Sequence, residues 1–361
     1  MARTENGRLA YADLLRVLAC IAVVIFHIAT NWQGQATGSA WTVMSTYAAL
    51  MRWCLPMFVM LSGAFLLDPQ KSVRLRDVFL RYILRVLAAL LVWGIIYALI
   101  DYGHTGWRFT WAGVKSAFRH ILWADTHYHL WFLFVMLGLY LVTPILRAFV
   151  KGAARRDFHW FFLLAFLCCC LLPVLRAIWP DWLAIPLAWL DKMDIHLVLG
   201  YVGFYVAGYY LKHYTLGRIA EFTIYILGIL GAVATVWGSG VFSGSLTLTV
   251  LGLSASNSPL LGFLAPNIVF MSVAIFVLFR YVLGVSEERS RRQRFSGVAW
   301  VTFGIYLVHD LFIMLLEYLN ISTLSFNPVI SIPVLAAVVF LCSFAVSWLI
   351  SRIPFLGHYL T

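Results

Sequence analysis

YADLLRVLACIAVVIFHIATNW, residues Tyr11 to Trp32, is an apolar run long enough to cross a bilayer, yet it carries one arginine and one histidine. Arg16 and His27 are eleven positions apart. At about 100° per residue they differ by roughly 20° in azimuth and about 16 Å along the axis, so they share one stripe at two depths. Ionisable groups inside a span are costly and usually face a cavity or a polar partner rather than lipid. The stripe therefore reads as the lining of a site. Taken singly, each residue also admits a plainer role, Arg16 reaching to the headgroups and His27 hydrogen-bonding at the far interface.

Around this stretch, the 361 residues are 63% hydrophobic and 11% charged, with a mean hydropathy of +0.89, which excludes a single water-soluble domain. An all-α polytopic membrane protein is expected, one membrane-embedded domain over residues 1–361. Hydropathy marks about ten transmembrane helices, near residues 11–31, 48–67, 83–101, 129–148, 158–178, 196–212, 219–238, 260–283, 297–318 and 329–351. The first run is too long for the apolar region of a signal peptide and no small-residue cleavage site follows, so it is expected to remain as a span. With the N-terminus in the cytosol, 19 of the 26 Lys and Arg fall on the cytosolic side, which predicts both termini inside and places Arg16 toward the cytosol and His27 toward the exterior. The net charge of +11 thus reflects topology rather than nucleic-acid binding, since no soluble segment is large enough for a binding domain.

Six cysteines, Cys20, Cys54, Cys168, Cys169, Cys170 and Cys342, all sit in apolar runs, without the spacing of a disulfide framework or a zinc site. Gln33 to Tyr47, rich in Gly, Ser, Thr and Ala, reads as an external loop. Ser62 and Gly63 in the second span form a small pair suited to close helix packing or to a site wall. The segment Lys71 to Arg85 places Arg74, Arg81 and Arg85 on one helical face, fit to meet anionic lipid or the phosphates of a nucleotide donor. Between Tyr102 and Tyr128, Trp107, Trp111 and Trp123 serve an interfacial belt or a sugar-stacking surface. His127 and His129 lack the i, i+4 spacing of a helical metal pair, and no metal is expected. Asp181, Asp191, Lys192 and Asp194 fall in an external loop, Ser239 to Pro259 reads as a mobile outer loop, and Ser286 to Arg294 as a basic anchor. In the ninth span His309, Asp310 and Glu317 interrupt an apolar helix; Asp310 and Glu317 share a face, with His309 about 100° away.

An arginine, ten intervening residues and a histidine in the first span resemble the motif of acyltransferase family 3, integral-membrane enzymes that acylate cell-envelope glycans. PMFVMLSGAFLL (Pro56–Leu67), the stretch His129–Leu133 with Tyr140 and Pro144, and FGIYLVH ending at His309 are similar to later family segments. The resemblance, to the type that O-acetylates enterobacterial common antigen, runs from Asp13 to about Pro354. It implies acyl transfer, usually of acetyl from cytosolic acetyl-CoA as cosubstrate, to a hydroxyl on an envelope glycan or glycolipid at the cytoplasmic (inner) membrane, with no permanently bound cofactor. His27 would act as general base and Arg16 would orient the donor; Arg74, Arg81, Arg85 and Ser62 are expected at the donor, and His129, Trp131, His309, Asp310 and Glu317 at the acceptor. A glycolipid transporter or flippase would also use intramembrane charges and a central cavity, and a membrane acyltransferase of the histidine and asparagine type would share the reaction.

Overall fold

The first span lies at the centre of the helical assembly. In the computed structural model, which describes residues 9–71, 73–103, 111, 115, 119, 126–178, 200–241, 258–282, 295–354 and 356–360, there is no strand among the described residues. The expected features at Trp107, Trp123, Asp181, Asp191, Lys192 and Asp194, most of the Ser239 to Pro259 loop, and the run Ser286 to Arg294 lie outside the described residues. Helix α1 (Ala10–Asn31) packs against α2 (Gly38–Met51), α3 (Cys54–Leu66), α9 (Pro266–Tyr281), α10 (Phe295–Trp300), α11 (Thr302–Tyr318) and α12 (Pro328–Ser351). Between these lie α4 (Leu75–Ile100), α5 (Trp131–Gly152), α6 (Arg155–Ile178), α7 (Val202–His213) and α8 (Arg218–Gly238). The protein is an all-α polytopic membrane protein, and among the described residues eight helical stretches are long and apolar enough to cross a bilayer.

The two other expected spans correspond to the shorter helices α7, of 12 described residues, and α11, of 17. They close at opposite ends of the molecule, α7 at Lys212 and α11 at Glu317. At one end, Lys212 Nζ in the last turn of α7 sits 3.0 Å from Asp68 Oδ2 after α3, Arg280 donates to the Tyr214 carbonyl, and Arg155 to the Thr215 carbonyl. At the other, Asn31 at the close of α1 donates to Glu317 at the close of α11, and Arg52 to the Leu261 carbonyl. The first of these is called the basic end below. Arg147 on α5 donates to the carbonyls of Leu66, Asp68 and Lys71, so a cation caps the C-terminus of α3, where the last carbonyls have no partner in the helix.

Two local expectations are corrected. Gln33 to Tyr47 is not a loop: a short 3-10 turn, Gln33–Gln35, leads into α2, which starts at Gly38 with φ at 57° and buries Met44, Ser45, Ala48 and Ala49 on one face. Small residues read as loop-forming here serve close helix contact. The pass is interrupted after Met51 because Pro56 has no N–H for the Arg52 carbonyl. Likewise the basic face on Lys71 to Arg85 is broken: Arg74 is the extended residue before the helix, and a π-helical turn at Val78–Ile83 shifts the register of the α-helical turns beyond it.

Gly63 acts as a packing residue. An added Cβ there would lie 1.8 Å from the Tyr205 carbonyl oxygen, and one on Gly208 would lie 1.8 Å from that of Met60, so α3 and α7 cross backbone to backbone. That contact turns the neighbouring Ser62 toward the interior space. None of the six cysteines forms a disulfide, and Cys20, Cys54, Cys169 and Cys170 are buried.

Candidate functional site: a basic cavity backed by a histidine cluster

A cavity of about 390 Å³ extends inward from the basic end, lined by Arg16, Ser62, Lys71, Arg85, Tyr140 and Tyr306 among others. Its walls come from α1 and its neighbours α3, α10 and α11, completed by α4 and α5. Arg16 lies 3.4 Å from the Asp13 carboxylate one turn earlier, with a third of its side chain still exposed. The Arg85 guanidinium stacks over Phe303 at 4.9 Å, which holds the cation against the apolar wall.

Lys71 and Lys212 each lie 5.0 Å from the centre of the Phe65 ring, so two ammonium groups share one aromatic side chain at the mouth. Burial and the neighbouring Lys212 charge push the Lys71 ammonium below the usual lysine value. Burial raises the Asp68 carboxyl, but the hydrogen bond from Lys212, that from the Gln70 N–H, and the Lys212 and His213 charges outweigh it and hold the group below the usual carboxylate value. Positive charge is thus crowded at the mouth, with Asp68 as its counter-ion. Arg74 and Arg81 stand apart: both are exposed, and Arg81 faces Asp77 at 3.4 Å. Of the three arginines expected on one donor face, only Arg85 reaches the cavity.

The inner wall of the cavity is Tyr306 with Phe132, their rings 6.0 Å apart. The Tyr306 hydroxyl donates to the His129 carbonyl, so this wall is fastened to the turn before α5. Behind it four histidines and one carboxylate converge. The His27 ring is 5.0 Å from His309 and 6.4 Å from His129; His129 is 5.2 Å from His309. His309 is fully buried and its Nδ1 is 2.6 Å from the Tyr306 carbonyl. A carbonyl only accepts, so the proton is on Nδ1 and Nε2 carries the lone pair; that nitrogen is buried without a hydrogen-bond partner. Asp310, 2% exposed, accepts from Tyr128 at 2.5 Å through Oδ1, while its Oδ2 lies 3.4 Å from His127 Nε2 and 4.0 Å from His129 Nδ1. Tyr97 stacks on His127 at 4.5 Å and donates to the Leu307 carbonyl at 2.7 Å.

The structure therefore brings His27, His129, His309 and Asp310 together, although His309 and Asp310 point about 100° apart on α11. The cluster wraps two sides of that helix, His309 facing α1 and Asp310 facing the turn at residues 126–130. Glu317 is not part of it, being exposed and bonded to Asn31 at 2.8 Å. Trp131, 38% exposed, sits beside the cluster with its ring 5.8 Å from Phe263 and 6.3 Å from Tyr201. Sequence reasoning did not single out Lys71, Tyr97, Tyr128 or Tyr306 as site residues. Nothing in the chain separates Lys71, Tyr97 and Tyr128 from other basic and aromatic residues near span ends, and Tyr306 stood out only as part of the family-like segment that ends at His309.

Among known proteins, a family model described as an acyltransferase domain, that of acyltransferase family 3, matches residues 9–352. No curated protein and no solved structure matches the chain.

Proposed function

The chain belongs to acyltransferase family 3, and from that premise we propose that it transfers acetyl, or another short acyl group, from cytosolic acyl-CoA to a hydroxyl of an envelope carbohydrate or glycolipid. It does so as a protein of the cytoplasmic (inner) membrane with both termini in the cytosol. Family membership makes it a membrane acyltransferase; the donor, the acceptor and the sidedness are the proposal. The observation that carries it is the order of groups along α1. Arg16 lines a cavity with a cationic mouth, and about three turns further on His27 stands in a buried histidine cluster.

The cationic mouth suits an anionic donor. Lys71 and Arg85 would hold donor phosphates as point charge and bidentate fork, while Arg16 orients the arm that carries the thioester. An added anion would also relieve the crowding of Lys71 and Lys212. On the far side, His27 takes the proton from the acceptor hydroxyl, whose oxygen attacks the thioester carbonyl; the C–S bond breaks and the coenzyme leaves as its thiolate. His309, with its proton fixed on Nδ1, presents an accepting nitrogen beside His27 that favours a ring orientation in which His27 keeps a lone pair for the acceptor. A sugar ring stacks on Trp131 and Phe263, where the aromatic surface is half open. No serine or cysteine nucleophile is required.

The test is mass spectrometry of envelope glycans from cells with and without the gene. Loss of one acyl group from one glycan, restored by the wild-type gene and not by His27→Ala, is the expected result; an unchanged glycan profile would contradict the proposal.

A further inference from the structure

Two stretches of chain about 180 residues apart bring His127, His129 and Asp310 into one buried group, and one ligand atom from each lies within 4.8 Å of the others. Asp310 Oδ2 lies 3.4 Å from His127 Nε2 and 4.0 Å from His129 Nδ1, while the other ring nitrogen of His127, Nδ1, is 3.0 Å from His129 Nδ1. Ligands about 2.0–2.2 Å from a tetrahedral zinc ion stand roughly 3.3–3.5 Å from one another. The three ligand atoms exceed that spacing by at most about 1.5 Å.

A second observation points the same way. Tyr128 grips Asp310 through Oδ1, the outer-shell contact that fixes a ligating carboxylate, and leaves Oδ2 buried without a hydrogen bond. A buried carboxylate oxygen without a donor is costly, and a cation placed between it and two imidazole lone pairs removes that cost. The expectation of no metal weighed only neighbours in the chain, and the i, i+2 spacing of the two histidines says nothing about a carboxylate supplied from α11.

We propose that His127, His129 and Asp310 bind one divalent metal ion, zinc by their chemistry, with a coordination position left open. Two imidazoles and a carboxylate are the donor set of catalytic zinc sites, which keep a fourth position for water or substrate. The ion would polarise an acceptor hydroxyl beside His27; that role rests on the acyl-transfer reading, whereas metal binding does not.

The protein is purified full length in detergent, without a polyhistidine tag, and its metal content measured by inductively coupled plasma mass spectrometry. About one zinc per chain is expected, retained or taken up on titration with zinc chloride, with a rise in Tm on binding. Co2+ in its place should show the strong visible absorption of a tetrahedral ion. Asp310→Asn and His127→Gln, checked for folding by size exclusion and circular dichroism, should each lose the zinc and the Co2+ band. A protein that neither retains nor takes up zinc overturns the proposal. So does equal zinc in wild type and both variants, which would mark a surface-bound ion. Neither readout involves acyl transfer, so failure of one reading leaves the other standing.

Discussion

The cavity and the histidine cluster lie on two sides of Tyr306 and handle charge in opposite ways. The cavity gathers cations, Arg16, Lys71 and Arg85, around space that reaches the basic end, and its mouth counter-charge is Asp68. The cluster gathers groups that can be neutral, four imidazoles around one carboxylate, with His129, His309 and Asp310 each 2% exposed or less. Fixed charge suits holding an anion whatever the pH, because an arginine keeps its proton even when partly buried. Imidazoles suit moving a proton, because their ordinary pKa is near neutrality. One first-span stripe thus reaches both regions, and in the proposed function it serves binding at one depth and chemistry at the other.

The largest expected effect falls on the chemical side. His27→Ala should lower transfer by about 10²–10⁴-fold while leaving expression and the size-exclusion profile unchanged, measured as acyl transfer by the purified protein. Near-normal transfer by the folded variant would remove His27 as base and collapse the contrast. On the binding side, Lys71→Ala with Arg85→Ala should weaken coenzyme A binding by about a hundredfold or more, at about 1.5–3 kcal/mol per charged hydrogen bond lost. Arg74→Ala with Arg81→Ala, both outside the cavity, should leave it nearly unchanged. Isothermal titration calorimetry on both pairs reverses the assignment if the second pair carries the loss.

The basic residues also show where the sequence was legible. The Arg16 and His27 stripe could be read from spacing alone because α1 is regular from Ala10 to Asn31. The face formed by Arg74, Arg81 and Arg85 could not, because the π-helical turn at Val78–Ile83 changes the residue count per turn and no residue type announces it. For the cluster, hydropathy found each helix, and family-like segments pointed to His129 and His309. The meeting of Asp310 with His127 and Tyr128 depends on tertiary packing across about 180 residues, and neighbouring positions on α11 serve one site only because the site wraps that helix. Helix α2 was hidden for a different reason: Gly, Ser and Thr mark loops in water and close helix contacts in a membrane protein.

Packing that positions both regions should respond next. Gly63→Ala inserts a methyl into the Tyr205 backbone and should destabilise the protein by about 1–3 kcal/mol, read as a lower Tm in detergent; an unchanged Tm would mean that α3 and α7 part freely. The smallest effect is at the mouth. Because the Asp68 carboxyl is held below its usual value in the folded protein, its stabilisation is present above the ordinary carboxylate pKa and is lost as pH falls through the lower, folded value. Asp68→Asn should therefore lower Tm slightly at neutral pH and have no effect at strongly acidic pH. A deficit that persists in acid would show that the side chain acts through shape rather than charge.

The central claim, that a donor bound in the cytosol delivers its acyl group past Tyr306 to an acceptor on the other face, is tested most directly in proteoliposomes of a single orientation. The acceptor glycan is enclosed on the His27 side, acetyl-CoA labelled in the acetyl group is supplied only on the Arg16 side, and enclosed label is followed over time. Labelled acceptor inside the vesicles, lost in both Arg16→Ala and His27→Ala, is the expected result; label on the acceptor only when donor and acceptor share a compartment would contradict it.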